Sequence, residues 1–364
     1  MSTVILKEEE RIALELRSLY KQYGYLPYKM SKFEEYDLYV ANKQFLVGDG
    51  VITFNDTDGK LLALKPDVTL SIIKNNTDGN GKRKVYYNEN VYRISGETKQ
   101  FKEIMQTGVE CIGDIDLYDV FEAVYLAAGS LAQISQNFVL DVSHLGILSA
   151  VLQSIHEDER FQKSVMQCLA EKNAHGITAL CDEYGVSEEN KEKLLTLVSA
   201  YGTPSTVLKK ISALCKSSGA KEPFARLQAL CKLLNVTEYA DNIRLDFSVV
   251  NDMAYYDDIV FKGFIDGISE GVLSGGRYDG LMRRMGKKSG AIGFAVNLDL
   301  LEGFHAAERK KDVDILLLYD DKTPTLQLVR AVNALVKKGN SVSAQKQKDS
   351  VRYKKLVDMT GGKL

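Results

Sequence analysis

The spacing of apolar positions changes its period along the chain, and each change marks an element. Residues 7–23 set Ile12, Leu16, Leu19 and Tyr23 at helical spacing, with Gly24 as the stop. Residues 44–95 read differently. FLVGDGVITF, KLLALK and VYYNENVYRI are strand-like runs, separated by NDTDG and NNTDGNGK. Asp-Gly and Asn-Gly supply the positive φ of tight turns, so this stretch predicts several antiparallel strands in one continuous block. Residues 118–135 return to a helix, with Phe121, Val124, Ala128 and Leu131 on one stripe. From about 148 to 240 the pattern is helical throughout, broken at Gly176, Gly185, Gly202-Thr203-Pro204 and Gly219. Strand patterning resumes at IRLDFSVV, YYDDIVFKGFIDG and GVLSGG, and VDILLLY followed by TPTLQLVRAVNALVKKG forms a closing βα unit. Strands interrupted by a helical block predict an α+β fold, not an alternating βαβ one.

Four stretches carry candidate chemistry. In IMQTGVECIG, residues 104–113, strand alternation puts Met105, Val109 and Cys111 on a core face. Gln106, Gly108 and Glu110 fall on the other. That face is either a floor where a small polar ligand approaches the backbone or a solvent-facing strand edge. In LKPDVTL, Pro66 bends the chain before Asp67, and Thr69 repeats the same face; Asp67 is also suited to a local Asx turn. MAYYDDIVF places Tyr255 and Tyr256 on opposite faces of an expected strand, one free to offer its phenol to a ligand while the other packs. SGGRYDGLMRRMG lacks the GK[ST] ending of a P-loop. It is expected to be a glycine bend leading into a helix, with Arg277, Tyr278 and Asp279 at the helix mouth.

Composition narrows the function classes. The 364 residues carry 47 Lys+Arg against 49 Asp+Glu, a balance that excludes nucleic-acid binding by bulk charge alone. The charge is unevenly spread. Residues 309–364 hold 13 basic and 6 acidic side chains, a net of +7, which leaves −9 for the body. Five cysteines, none closer than 13 positions to the next, offer no CxxC pair, and four histidines form no HxxxH or HExxH. Buried free thiols and no metal are expected. Charge within the first ten residues and no run of 18 apolar residues point to a cytoplasmic protein outside membranes.

The order of these stretches resembles the class II aminoacyl-tRNA synthetases, in the form used by histidyl-tRNA synthetases. YRISGETKQFKEIMQTGVECIG looks like motif 2, and LLALKPDVTLSIIK resembles the LRPEGT segment before it. MAYYDDIVF is similar to the histidine-binding RGLDYYTGTVF loop, and SGGRYDGL with AIGFAVNLDLL to the GGRYDGL turn and motif 3. The resemblance covers roughly residues 5–305. It implies an antiparallel sheet flanked by helices over 1–308, a helical insertion at about 148–240, and a small basic α/β tail at 309–364. It also implies that Asp67, Thr69, Gln106, Glu110, Tyr255, Tyr256 and Tyr278 surround histidine. Arg93 and Arg277 are candidates for a remnant of the nucleotide pocket.

Departures from that pattern are chemical. Arg93 matches the motif 2 arginine, but Ser95 stands at the adenine-reading glutamate and Leu300 at the motif 3 arginine. Asn251 replaces the arginine that pairs with the substrate carboxylate, and Ala254 an aspartate. A guanidinium facing phosphate supplies a charge-assisted fork that no neutral side chain replaces. Transition-state donors of this kind are worth about 3–4 kcal/mol each. With these changes the chain resembles the regulatory subunits of short-form ATP phosphoribosyltransferase. The resemblance implies no catalysis and no cofactor. It implies a short catalytic subunit as partner in a hetero-octamer built on homodimers, activation of that partner, and feedback inhibition by histidine. A histidyl-tRNA synthetase would add an anticodon-binding domain of roughly 90–100 residues; the tail is expected to be a shortened remnant of one. The alternatives are a divergent histidyl-tRNA synthetase and a pseudo-synthetase that binds tRNA through its basic tail. Motif 1, at YLPYKMSKFEEY, lacks the proline expected just before the Glu35 region, and dimerisation through that element is an expectation with less behind it.

Overall fold

A computed structural model describes residues 8–43, 50–76, 79, 81–94, 100–216, 218–250, 255–301, 304, 311–348 and 350–362. The chain divides into two compact units, Met1–Leu301 and Glu302–Leu364. In the first, helix α1 (Glu8–Gln22) precedes the short strands β1 (Leu26–Pro27) and β2 (Phe33–Glu35) and helix α2 (Tyr36–Ala41). Strands β3 (Thr53–Asn55) and β4 (Leu61–Leu64) lead to helix α3 (Thr69–Lys74), then to the long strands β5 (Arg83–Ile94) and β6 (Phe101–Gly113). Helix α4 (Leu117–Ile134) and strand β7 (Phe138–His144) introduce a helical block of α5 (Leu145–Ile155), α6 (Glu159–Ala170), α7 (Ala174–Glu183) and α8 (Glu188–Val198). The block ends with β8 (Tyr201–Gly202), α9 (Pro204–Ile211) and α10 (Ser218–Leu234). Strands β9 (Ile243–Asp246), β10 (Ile259–Ile265) and β11 (Leu273–Arg277), helix α11 (Asp279–Arg284) and strand β12 (Gly290–Asn297) complete the unit.

A nine-stranded sheet in the order β1-β5-β6-β12-β11-β10-β7-β9-β8 organises this unit. Its middle, from β5 to β7, is antiparallel throughout. One face carries Phe261, Gly275 and Phe294 and is covered by α4, whose Leu131 reaches the backbone at Gly263. Helix α4 starts where the sequence predicts because Asp116 and Asp119 form a reciprocal capping box. The helix buries Val124, Leu126, Ala127, Ala128 and Leu131. Helix α1 joins it through Tyr20, whose hydroxyl lies 3.0 Å from Ser130 Oγ. The α1 core stripe is Ile12, Leu16 and Tyr20, and Gly24 at φ +81° ends the helix as expected.

The strand-rich region after α1 departs from a single continuous block. The Asp-Gly turn does make a hairpin, with Gly59 at φ +85° between β3 and β4. That hairpin belongs to a separate three-stranded sheet, β2-β4-β3, and α3 divides it from β5. The SGG glycines are also not a bend. They lie inside β11, because a Cβ on Gly275 would sit 2.5 Å from the Gly293 carbonyl, so only bare backbone fits. Strand β7, FVLDVSH, passed unnoticed in the sequence: it sets His144 beside Phe138, Leu140 and Val142 on one face and buries Asp141 and Ser143 on the other, which breaks the simple alternation.

The second unit is a parallel sheet, β14-β13-β15, built from β13 (Val313–Leu318), β14 (Val342–Gln345) and β15 (Tyr353–Asp358) with helix α12 (Thr325–Lys337) as the crossover. Ile315, Leu316 and Leu317 are buried in the middle strand.

Close packing at the glycines gives a test. Gly275→Ala meets backbone and is expected to destabilise the chain by about 3 kcal/mol or more, whereas Gly263→Ala chiefly meets the movable Leu131 side chain and is expected to cost about 1–2 kcal/mol. Urea denaturation of both variants checks the order, and equal losses would contradict it.

Candidate functional site

The site is on the sheet face opposite α4, and its centre is Glu110. Alternation along β6 turns Gln106, Gly108 and Glu110 to this face, as the sequence predicts, but the face is not a solvent edge: Glu110 is 2% exposed. Thr69 Oγ1 donates to Glu110 Oε1 at 2.6 Å, and the Tyr278 hydroxyl donates to Oε2 in a very short hydrogen bond. Thr69 is available because the Pro66-Asp67 bend ends in α3, whose first residue it is. Asp67 has two roles. Its Oδ1 accepts from the Leu70 N–H at 2.8 Å, the local turn that its residue type favours, while Oδ2 faces Arg93 at 4.0 Å.

Aromatic rings close the site. Tyr255 and Tyr256 do not lie on a strand; β10 begins only at Ile259, after a turn. Their rings therefore share one side, 4.9 Å apart, instead of facing opposite ways, and Tyr255 stands 5.8 Å from Tyr278. Glycines make room for these groups. A Cβ at Gly293 would fall 1.8 Å from Glu110 Oε2, and one at Gly276 would fall 2.7 Å from the Tyr256 ring. Gly108 has a different reason from the one the sequence suggests. Tyr87 from β5 occupies the space above it, with its hydroxyl 2.6 Å from where a Cβ would stand, so a side chain and not a ligand approaches that backbone.

Asp67, Thr69, Glu110, Tyr255, Tyr256 and Tyr278 are thus brought together, with Tyr87 added. Gln106 lies further along β6, where its amide donates to Asn297 Oδ1 at 2.6 Å. Arg93 is on the site's face, and its Nε donates to the Pro66 carbonyl at 2.7 Å. Arg277 does not join them. It alternates with Gly276 and Tyr278, so it points to the α4 face, where both its Nε and a terminal nitrogen hold Asp279. Its place in a nucleotide-pocket remnant is corrected accordingly. Leu300 is in the short helix Leu298–Leu301 after β12; Ser95, Asn251 and Ala254 lie outside the described residues.

A family profile described as histidyl-tRNA synthetase matches residues 5–301. The chain belongs to that family. Among its relatives is an ATP phosphoribosyltransferase regulatory subunit of Clostridium botulinum, 26% identical over 87% of this chain and 79% of its own. A crystal structure named as an ATP phosphoribosyltransferase regulatory subunit/histidyl-tRNA synthetase from Bacillus halodurans superposes with a TM-score of 0.78 at 23% identity, over 97% of this chain and 94% of that one. The HisG:HisZ ATP phosphoribosyl transferase complex from Thermotoga maritima contains a chain with a TM-score of 0.63 at 16% identity, over 80% of this chain and 97% of that one. The architecture is therefore the class II synthetase fold that the motifs imply.

Within this family fold the electrostatics of the site are unusual. Burial pushes the Glu110 carboxyl up to about 8; neighbouring Asp67 adds to the rise, and the Thr69 and Tyr278 hydrogen bonds oppose it. Burial raises Asp67 too, against the pull of Arg93. Tyr87, Tyr255 and Tyr278 are all raised, first by burial and then by the nearby acids. Two carboxyls with raised proton affinity thus stand among phenols, an arrangement of acceptors that suits a small donor-rich ligand. No local pattern singles out Tyr87, or Lys65, a fully buried lysine whose Nζ donates to Glu89 at 2.7 Å and to the Ser31 carbonyl at 3.1 Å. Among the described residues no His/Cys/Asp/Glu group is arranged to hold a metal.

The Glu110 shift makes stability depend on pH. An unfolded chain has this carboxyl near its ordinary value, so between roughly pH 4.5 and pH 8 the native state keeps a proton that the unfolded state releases. The contribution is present below that window and is lost as pH rises through it. Glu110→Gln is expected to flatten the decline in stability by on the order of a few kcal/mol, read from denaturation at roughly pH 5 and pH 8. Identical slopes for both proteins would show an ordinary carboxyl.

Proposed function

We propose that the chain is a non-catalytic regulatory subunit of ATP phosphoribosyltransferase, which binds histidine at the Glu110 site, activates a short catalytic subunit and carries its feedback inhibition. One contrast carries this reading. The acids, hydroxyl and phenols expected around an amino acid stand together, whereas the motif 3 guanidinium that would meet ATP is missing from the sequence. Arg93 holds the Pro66 carbonyl through Nε and faces Asp67, and Leu300 stands where motif 3 of a synthetase has an arginine. Nothing in that inventory replaces a guanidinium aimed at phosphate.

Histidine suits the assembled end. Its ammonium and imidazole bring the donors and positive charge that Glu110, Asp67 and Thr69 accept, and the Tyr255–Tyr256 pair offers ring faces to a planar heterocycle. Supporting the assignment, the regulatory subunit of Clostridium botulinum aligns along most of its length. The partner is then the short catalytic subunit, in a hetero-octamer built on homodimers within the cytoplasm. Inhibition is a coupling free energy between this site and the partner's active site, of the usual ~1–3 kcal/mol. The second unit is a shortened remnant of an anticodon-binding domain. Its +7 over residues 309–364 also fits a second reading, a pseudo-synthetase that binds tRNA, and deleting that stretch would then abolish a salt-sensitive RNA interaction.

Mixing the chain with a short catalytic subunit is expected to raise phosphoribosyl-ATP formation and make it sensitive to histidine, with no histidine-dependent exchange of pyrophosphate into ATP by the chain alone. Unchanged rate and sensitivity would end the proposal. Glu110→Gln and Tyr256→Phe are each expected to weaken histidine binding by roughly 1–3 kcal/mol in calorimetry, the scale of a lost buried or charged hydrogen bond.

A further inference from the structure

Two acids tie the tyrosine pair of the site to the rest of the fold. Tyr255 and Tyr256 precede β10, and only Asp257 and Asp258 separate them from its first residue, Ile259. These acids hold different parts of the chain. Asp257 Oδ2 accepts the Gly280 N–H at 2.6 Å and meets Arg283 at 3.2 Å, both in α11, the helix that Tyr278 introduces. Asp258 faces elsewhere. Its carbonyl accepts the Leu145 N–H at 2.8 Å. Its Oδ1 stands 2.9 Å from His144 Nε2, a close polar contact without the alignment of a full hydrogen bond.

Those contacts fall at the root of the helical block. His144 closes β7, and Leu145 opens α5, the first helix of the block. No side chain caps α5, so the Asp258 carbonyl satisfies one of the N–H groups that a helix start leaves open. From α10 of the same block, Arg226 reaches Asp258 Oδ2 at 3.4 Å. Burial acts to raise the Asp258 carboxyl, but His144, Arg226 and Arg277 together hold it below its ordinary value.

Core packing does not explain His144. It shares a strand face with Phe138, Leu140 and Val142, is fully buried, and its Nδ1 has no hydrogen-bond partner. An apolar side chain would suit that position better, since a buried nitrogen without a partner costs stability. What the imidazole adds is its contact with Asp258.

We propose that Asp258 and His144 are positioning residues for the ligand site: the pair fastens the Tyr255–Tyr256 segment to the root of the helical block and so sets where the two rings meet histidine. This rests on histidine binding at the Glu110 site and adds to it two residues that act through the tyrosines. Tyr256 is two positions from Asp258, so a shift of the anchor carries the ring with it.

Calorimetry with histidine and near-ultraviolet circular dichroism of the full chain test the role. The chain has 19 tyrosines and no tryptophan, so the near-ultraviolet signal reports chiefly on phenols. Asp258→Asn and His144→Gln are each expected to weaken histidine about tenfold, the scale of one charge-assisted contact, and to reduce the histidine-induced tyrosine signal at saturation. The double variant is expected to lose no more than either single one, because both break one link. Asp258→Glu keeps the charge and is expected to recover part of the loss. Glu222→Gln removes only the outer partner of Arg226 and is expected to leave binding unchanged. Where a variant of the buried pair does not fold, Arg226→Gln, on the exposed side of Asp258, is expected to weaken histidine about threefold. A chain that binds no histidine overturns the proposed function and this role with it. Wild-type binding with folded variants unaltered in affinity and signal, or losses that add in the double variant, overturns the positioning role alone.

Discussion

Exclusion of water from the Glu110 carboxyl is the constraint on which the rest of the site depends. A carboxylate in that position costs several kcal/mol unless it is neutralised or paired, and the chain lowers the cost with two hydroxyl donors and a raised proton affinity. Each donor makes a demand on the backbone. Thr69 must begin a helix just after the Pro66-Asp67 bend, and Tyr278 must leave β11 directly into α11. Gly293 must have no side chain, since Glu110 fills that space. Three distant segments are thus fixed by one acid.

The same sheet separates two environments. Its Glu110 face is polar and aromatic, whereas its α4 face is built from Phe261, Phe294 and the apolar stripe of the helix. Strand alternation decides which residues go where, so neighbours in sequence part company: Tyr278 enters the site and Arg277 points away from it. The acids and phenols of the Glu110 face pack closely on one another, and Arg93 and Gln106 nearby hold partners from the chain itself.

Much of this was legible in the residues. Alternation in IMQTGVECIG places Glu110 and Gln106 on one face, and the Asp-Gly turn and the helical period of α1 and α4 have local causes that the sequence states directly. What escaped it depends on contacts between segments. Tyr255 and Tyr256 read as a strand because aromatic residues favour strands, but the chain turns until Ile259, and both rings come to one side. Gly108 reads as a place for a ligand, yet the group above it comes from Tyr87, 21 positions earlier and on the paired strand. Strand β7 was missed for a similar reason: its polar residues Asp141, Ser143 and His144 are buried in the fold, which no local pattern reports.

The Lys65–Glu89 pair has a consequence for how such a chain changes over generations. Lys65 has no exposed surface, and it ties the loop at Ser31 to β5, with its own carbonyl accepting from the Tyr92 N–H. Replacing either partner alone strands a buried charge, at about 3–5 kcal/mol, which is much of a domain's net stability. Replacing both with apolar residues of similar volume can be nearly neutral. The two positions are therefore joined by a mutational valley: lineages are expected to hold the ionic pair or a hydrophobic one, with few intermediates between them.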